Sequence, residues 1–149
     1  MLDKIFKRDI NDVEVGLSII HLYSKEEFDD AQIGYRVTKK GDKITEWIGD
    51  NYYVIGNDSC CGDPIIVDIS DEKLPVYSMF HDDWSMLDKI TESYEQYLDI
   101  LKEISKMDLS NEDNYKKLVN SIIDKTPSSS KDYWEALIQS AYEFLNDID

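Results

Sequence analysis

The sequence predicts an α+β fold, in which an antiparallel sheet of about four to six strands packs with C-terminal helices. Residues 13–80 contain short β-branched and aromatic runs separated by Gly, Asn and Asp, which is typical of strands joined by short turns. Residues 86–147 instead repeat apolar side chains every three or four positions, as amphipathic helices do. A chain of 149 residues has room for one core, so we expect a single domain over residues 1–149.

Five strands are expected in the first part of the chain. Each candidate is rich in β-branched or aromatic residues and is bounded by turn residues. Pro64 and Pro75 lie at or just before strand starts, where a missing amide costs little. The region of residues 39–42 and the region around residues 71–73 are predicted as turns. The predicted strands are residues 16–23, 35–38, 52–55, 65–68 and 76–79.

A short helix is expected after the first strand. Ser24 and Glu27 form a Ser-x-x-Glu capping box, in which each side chain can bind a backbone amide of the first turn. The predicted helix covers about residues 25–32, and Gly34 ends it.

Three further helices are expected in the second part. The first is long, because one apolar stripe runs through Leu87, Ile90, Tyr94, Tyr97, Leu98, Leu101 and Ile104. Residues 110–113 are predicted to cap the second helix, and residues 126–130 break the pattern. The last helix is expected from about residue 131 to 145, with these side chains on its inner side: Tyr133 or Trp134, Leu137, Ile138, Ala141 and Leu145.

The charge restricts the classes of partner. There are 32 acidic and 16 basic residues, which gives a formal net charge of −16, and the excess is spread along the whole chain. Nucleic acids and anionic membranes are disfavoured as partners, because their affinity for proteins depends on cationic side chains. A basic protein partner would be attracted by this field. The alternative interpretation is that the charge serves solubility alone.

Apolar patterning and cysteine usage favour a cytoplasmic protein. The longest aliphatic runs are about three residues, far below the ~20 that span a bilayer, and the first residues lack the apolar segment of a signal peptide. The only cysteines, Cys60 and Cys61, are adjacent, so they cannot link distant segments, and a bridge between them would be strained. Two adjacent cysteines without a favourable disulfide are typical of a protein in a reducing compartment.

Few residues suggest catalysis or metal binding. Cys61 with His81 is a conceivable nucleophile–base pair, but the acidic surroundings of Cys61 raise rather than lower a thiol pKa. His81, Asp82 and Asp83 could join Asp58 or Asp63 around a hard cation, although no metal-binding motif is present and short acidic residues commonly form turns. We therefore expect no enzymatic activity, no metal and no cofactor.

The segment of residues 53–68 reads as a strand, a tight polar turn and a second strand. Gly56 and Gly62 permit backbone angles that other residues disfavour, and Asp58 and Asp63 can accept hydrogen bonds from turn amides. By itself, the segment can be explained as an elaborate hairpin with no other role.

An ordered series of short motifs extends from this segment over about residues 50–105. It consists of Ile55-Gly56-Asn57-Asp58, Cys61-Gly62-Asp63-Pro64-Ile65, Pro75-Val76-Tyr77, His81, and Ser93-Tyr94 with Tyr97-Leu98. This series resembles the SUKH superfamily, the domain shared with fungal cell-wall-assembly regulators. Residues 13–16 and 31–35 also look like one bacterial branch of it. The chain lacks the N-terminal helices with a Leu-Pro pair that many members have.

The resemblance implies an α+β fold without enzymatic activity. Bacterial members of the family look like immunity proteins, which bind and neutralise polymorphic toxins, often nucleases. We therefore expect a cytoplasmic immunity protein whose partner is a cognate toxin with a basic surface; the alternative is a regulatory protein-interaction module like the fungal relatives. The predicted partner-binding residues, taken as turn residues at one end of the sheet, are Asp58, Asp63, Asp82, Asp83 and Trp84.

Overall fold

The computed structural model describes residues 2–147, and in this range six strands form one antiparallel sheet accompanied by four α-helices. The predicted α+β class is therefore confirmed. In chain order the elements are a 3-10 helix (Leu2–Phe6), β1 (Asp12–Val15), β2 (Ser18–Leu22), α1 (Lys25–Ala31), β3 (Tyr52–Asp58), β4 (Asp63–Asp68), β5 (Val76–Phe80), β6 (Asp83–Thr91), α2 (Tyr94–Lys106), α3 (Glu112–Lys125), a second 3-10 helix (Ser128–Ser130) and α4 (Lys131–Leu145).

The sheet is a meander in which each strand pairs with the next one along the chain. Successive connections of a meander alternate between the two ends of the sheet. The turns β1–β2, β3–β4 and β5–β6 therefore lie at one end, which we call the tip end. The connections β2–β3 and β4–β5 and the chain leading to α2 lie at the other, which we call the base end.

Helices cover one face of the sheet. The main core joins alternate strand residues, such as Ile20 and Ile65, to the buried faces of α2, α3 and α4. A smaller core on the opposite face contains Trp47, Val54, Ile66 and Met79, packed beneath partly buried aromatic side chains. The segment between α1 and β3 supplies Trp47, so this irregular stretch covers the second face.

The strand predicted at residues 35–38 is wrong. Val37 makes only isolated bridges to Ile33 and Lys43, and the turn predicted at residues 39–42 closes this small loop rather than a hairpin of the sheet. The Tyr35 ring instead packs against Trp47 with their centroids 5.8 Å apart. Local β propensity does not make a strand where no neighbouring strand is free to pair.

The start of the long helix was also predicted wrongly. Residues 83–91 form β6, and α2 begins at Tyr94, where the Ser93 side chain accepts a hydrogen bond from the Gln96 amide. In the strand, Leu87 packs in the smaller core and Ile90 in the main one. A spacing of three residues fits one face of a helix, but in a strand it places the two side chains on opposite faces. β1 and β6 are strands that the sequence pattern did not predict.

The other helices agree with the sequence. The capping box of α1 is formed by Ser24 and Glu27, Asn111 caps α3, and α4 has the predicted bounds. Trp134 is fully buried and donates its indole N–H to the Ile90 carbonyl, 3.0 Å away. Leu145 is 49% exposed, so its predicted place on the inner side of α4 is wrong.

Two polar side chains fix the base end. Gln32, 5% exposed, donates its side-chain amide to the Val54 carbonyl (2.8 Å) and accepts from the Val54 N–H (3.0 Å). The Gln32 side chain thus binds the backbone of β3 beyond the end of β2, where no neighbouring strand is present to do so. The Arg8 guanidinium donates to the carbonyls of Leu22 (2.9 Å) and Tyr23 (2.7 Å), which ties the N-terminal segment to the end of β2.

Within residues 2–147, none of the helices is both long enough and apolar enough to cross a membrane.

Candidate functional site

The three turns of the tip end lie beside α4. At the β1–β2 turn, Gly16 has a φ of +63°, and a Cβ at this position would lie 2.6 Å from the Ala141 Cα. Only glycine permits both this backbone angle and this close approach. The contact fixes the turn against α4, so the helix crosses the sheet close to its tip end.

The β3–β4 turn holds two of the predicted residues. Asp58 and Asp63 face each other across the hairpin. The Asp58 carboxylate accepts a hydrogen bond from the Cys60 amide at 2.9 Å, which is the turn-forming role open to a short acidic side chain. Asp58 therefore stabilises the turn and still carries its charge at the tip end.

Asp63 connects this turn to the next one. Its carboxylate accepts from the His81 backbone amide (3.1 Å) and lies 3.0 Å from His81 Nδ1. The hydrogen bond to Asp63 raises the pKa of His81, and the nearby charge of Asp82 adds to the effect. The two turns are thus held together by a contact between residues far apart in sequence.

The remaining predicted residues lie at the β5–β6 turn. Asp82 is exposed, and the Asp83 carboxylate accepts from the Ser85 amide (3.1 Å) and hydroxyl (2.6 Å). The Trp84 ring belongs to the aromatic cluster of the opposite face, with its centroid 5.4 Å from that of Trp47. Trp84 is therefore partly buried, and its role at the tip end is to support the turn through its indole N–H, which donates to the His81 carbonyl (3.1 Å).

A cleft of about 750 Å³ opens between the hairpin turns and α4. Asp58 and Asp63 line one side of it, whereas Asp82, Asp83 and Trp84 are not part of its lining. The helix contributes a single face, on which residues recur at three- and four-residue steps: Asp132, Tyr133, Ala136, Leu137 and Ser140.

The charge in the cleft has one sign. Asp58, Asp63, Asp88 and Asp132 line it, and no Lys or Arg does among the described residues. Burial raises the pKa of Asp88, and the negative charge of Asp132 raises it further. Of these four, only Asp63 takes part in an ion pair within residues 2–147, with His81.

Two large apolar side chains are exposed in the same cleft. Phe80 is 52% and Met86 is 54% exposed, and both line the cleft. Large apolar side chains with half or more of their surface in water commonly mark contact surfaces when they are grouped. The cleft therefore combines negative charge with apolar surface.

Tyr133 forms part of the cleft wall. Its hydroxyl oxygen is buried, and the Ser78 side chain lies beside it. Burial raises the pKa of Tyr133 strongly, and the charges of Asp58, Asp63 and Asp88 raise it further. Three carboxylates from different strands thus act on one point of the wall.

Cys61 and His81, the pair considered from the sequence as a nucleophile and its base, lie on the β3–β4 and β5–β6 turns. His81 Nδ1 contacts Asp63, and partial burial raises the pKa of Cys61, with Cys60 and the carboxylates of Asp63 and Asp58 adding to the shift. A raised thiol pKa is the opposite of what a nucleophilic cysteine needs. In the described part of the chain, no group of three or more His, Cys, Asp or Glu side chains is placed to hold a metal ion.

Comparisons of the chain with protein-family models, curated proteins and solved structures gave no significant match.

Sequence reasoning missed the half of the site that α4 and β6 supply. Asp88 and Met86 belong to the region that the sequence predicts as helix, and neither is part of its apolar stripe. Asp132 is separated from Asp58 by 74 positions, and no local pattern indicates that the two line one cleft. The signal that could have found Asp88 is Ser93, a strong N-cap residue that marks a later start for the helix.

Proposed function

We propose that this protein is a SUKH-like immunity protein that works in the cytoplasm and neutralises a cognate toxin, a basic nuclease domain, by stoichiometric binding. The observation that carries the proposal is the gathering of Asp58, Asp63, Asp82 and Asp83 at one end of the sheet by two linked hairpin turns. The motif series of residues 50–105, whose bacterial relatives look like immunity proteins, supports the same function.

The physical basis is charge complementarity. A nuclease must present a cationic cleft to bind the phosphate backbone, and an acidic protein surface can occupy that cleft in place of the nucleic acid. The net charge of −16 accelerates association with such a partner, most strongly at low ionic strength. The exposed apolar side chains Phe80 and Met86 provide the desolvated contact that slows dissociation.

The first experiment is a pull-down with the tagged chain from a lysate of the source cells, followed by identification of the bound proteins. We expect one stoichiometric basic partner whose nuclease activity is lost when the complex forms. Several envelope-synthesis or housekeeping partners would instead favour the regulatory module. A partner whose activity is unaffected by binding would contradict the proposal.

A pair of charge reversals then tests the surface. Asp82→Lys together with Asp83→Lys should weaken the complex by about tenfold or more, because like charges then face each other. Asp99→Lys together with Asp124→Lys is the matched control, since both residues are exposed on helices and neither lines the cleft. Affinity is measured by titration calorimetry, and urea unfolding verifies that both variants remain folded. Equal affinity of both double variants would remove these turn residues from the interface.

A further inference from the structure

The cleft between the hairpin turns and α4 has features that a general acidic surface does not need. It is concave, with a volume of about 750 Å³, within the range of roughly 300–1,000 Å³ that ligand sites occupy. Its carboxylates come from three separate parts of the chain, namely the β3–β4 hairpin, β6 and α4. Only the tertiary fold unites them.

The lining determines the chemistry of the occupant. Within residues 2–147, no side chain donates a hydrogen bond to Asp88 or Asp132, and neither carboxylate forms an ion pair. The negative charge of the two residues is therefore not compensated within the cleft. Burial raises the pKa of Asp88 and the negative charge of Asp132 raises it further, which means that the fold holds a partly buried negative charge at a cost. A cation placed between them would remove that cost.

The apolar part of the lining restricts the occupant further. Phe80 and Met86 expose half or more of their surface at the cleft, and Leu137 lies opposite on α4. Arg and Lys place an apolar stem against such surface while the charged head contacts carboxylates. The volume leaves space for a second, apolar side chain beside the cation.

We propose that this cleft receives an Arg or Lys side chain, flanked by a large apolar residue, from a segment of a partner protein. This inference rests on the proposed function and specifies the kind of toxin segment that the protein would bind. A protein segment is favoured over a free cation because Phe80 and Met86 extend the apolar surface beyond the carboxylates. Another copy of this chain is disfavoured because each copy carries −16.

The test begins with a random-peptide display library selected on the full chain. We expect the recovered peptides to be enriched in Arg or Lys next to Leu, Phe, Met or Trp. Recovery of neutral or acidic peptides, or of none, would overturn the inference. So would self-association of the chain that competes with the peptides, measured by sedimentation.

Two variants then locate the binding of the strongest synthetic peptide. Asp132→Lys reverses one charge and Ala136→Trp fills the cleft without changing charge; both positions are exposed on α4, so the fold should tolerate them. Each should weaken peptide binding by about tenfold or more, by repulsion or by steric exclusion. Asp124→Lys on α3 and Gln139→Trp on α4 are the matched controls, because both are exposed and outside the cleft lining.

The outcomes separate the two proposals. If Ala136→Trp leaves peptide affinity unchanged, or if Asp124→Lys lowers it as much as Asp132→Lys, the cleft is not the receptor, whether or not the protein neutralises a toxin. If the cleft variants lose the peptide but no toxin is neutralised, the cleft inference stands and the immunity function fails. Urea unfolding of each variant shows whether a loss of binding reflects a loss of fold.

Discussion

Polar side chains have different roles at the base end of the sheet and in the cleft beside α4. At the base end, Arg8 donates to carbonyl oxygens of β2 and its flank, and Gln32 satisfies both backbone groups of Val54. Between the tip end and α4, Asp88 and Asp132 line an open cleft and neither forms an ion pair within residues 2–147. Hydrogen-bonded side chains stabilise a fold, whereas neighbouring like charges without a counter-charge oppose it and remain available to a cationic partner. The base end therefore holds the sheet together, and the cleft beside α4 is the better candidate for binding.

The largest effect is expected at the base end, from Gln32→Leu. This change keeps the size of the side chain but leaves the buried Val54 N–H and carbonyl without partners, at about 1–3 kcal/mol each. We expect the free energy of unfolding, measured with urea, to fall by about 2–4 kcal/mol. Gln139→Leu is the control, because Gln139 is exposed and should change stability by no more than about 0.5 kcal/mol. Similar losses in both variants would mean that Gln32 does not act as a strand partner.

A smaller effect is expected from pH at His21, whose ring lies 2.6 Å from Asp12 and 3.1 Å from Glu27. Burial lowers the pKa of His21, but the hydrogen bonds to Asp12 and Glu27 raise it more. A histidine with a raised pKa in the folded state stabilises fully below its unfolded pKa of 6.5, and this contribution is lost as the pH rises through the folded pKa.

The urea midpoint should therefore fall as the pH is raised from below 6.5 to above the folded pKa of His21. His21→Gln should reduce this fall. His81→Gln is the matched variant and should change the fall less, because the pKa of His81 is also raised but its side chain is more exposed than that of His21. An unchanged pH profile in His21→Gln would show that its contacts with Asp12 and Glu27 contribute nothing to stability.

The smallest effect is expected in the cleft, from Asp88→Asn. The raised pKa of Asp88 means that its ionised form disfavours folding once the pH exceeds the unfolded value of 3.8. Removing the charge should leave stability at pH 7 unchanged or higher by up to about 0.5 kcal/mol, and the gain should vanish at low pH, where Asp88 is protonated. Asp68→Asn is the contrasting variant, because hydrogen bonds from Ser70 and Asn51 outweigh burial and lower the pKa of Asp68. A marked loss of stability in Asp88→Asn would make Asp88 a structural residue like those of the base end.

Much of the fold could be predicted because its signals are local. The capping box of Ser24 and Glu27, the bounds of α4 and the strands β2 to β5 all follow from neighbouring residues. The errors arose where one pattern fits two structures. The spacing of Leu87 and Ile90 suits a helix, but pairing with β5 makes this segment a strand, and residues 35–38 have β propensity but no strand to pair with.

The candidate site divides in the same way. The predicted residues Asp58, Asp63, Asp82 and Asp83 do lie at one end of the sheet, because hairpin turns can be recognised locally and a meander brings alternate turns together. Trp84 points to the opposite face, where Trp47 contacts it, and this depends on a segment whose path has no local signature. Asp132 was missed because no local pattern links α4 to the hairpin turns, and Asp88 was missed because the spacing around it suits a helix.

The sequence by itself determined the α+β class, the turn chemistry and the acidic charge, because propensity, capping and composition act within a few residues or over the whole chain. Only the tertiary structure decided which carboxylates share a cleft and which aromatic side chains are covered. Those properties depend on how α4 crosses the sheet, and that crossing is set by contacts such as Gly16 against Ala141, which lie 125 positions apart in sequence. Packing between distant segments is a collective outcome of the whole core, and no window of neighbouring residues encodes it.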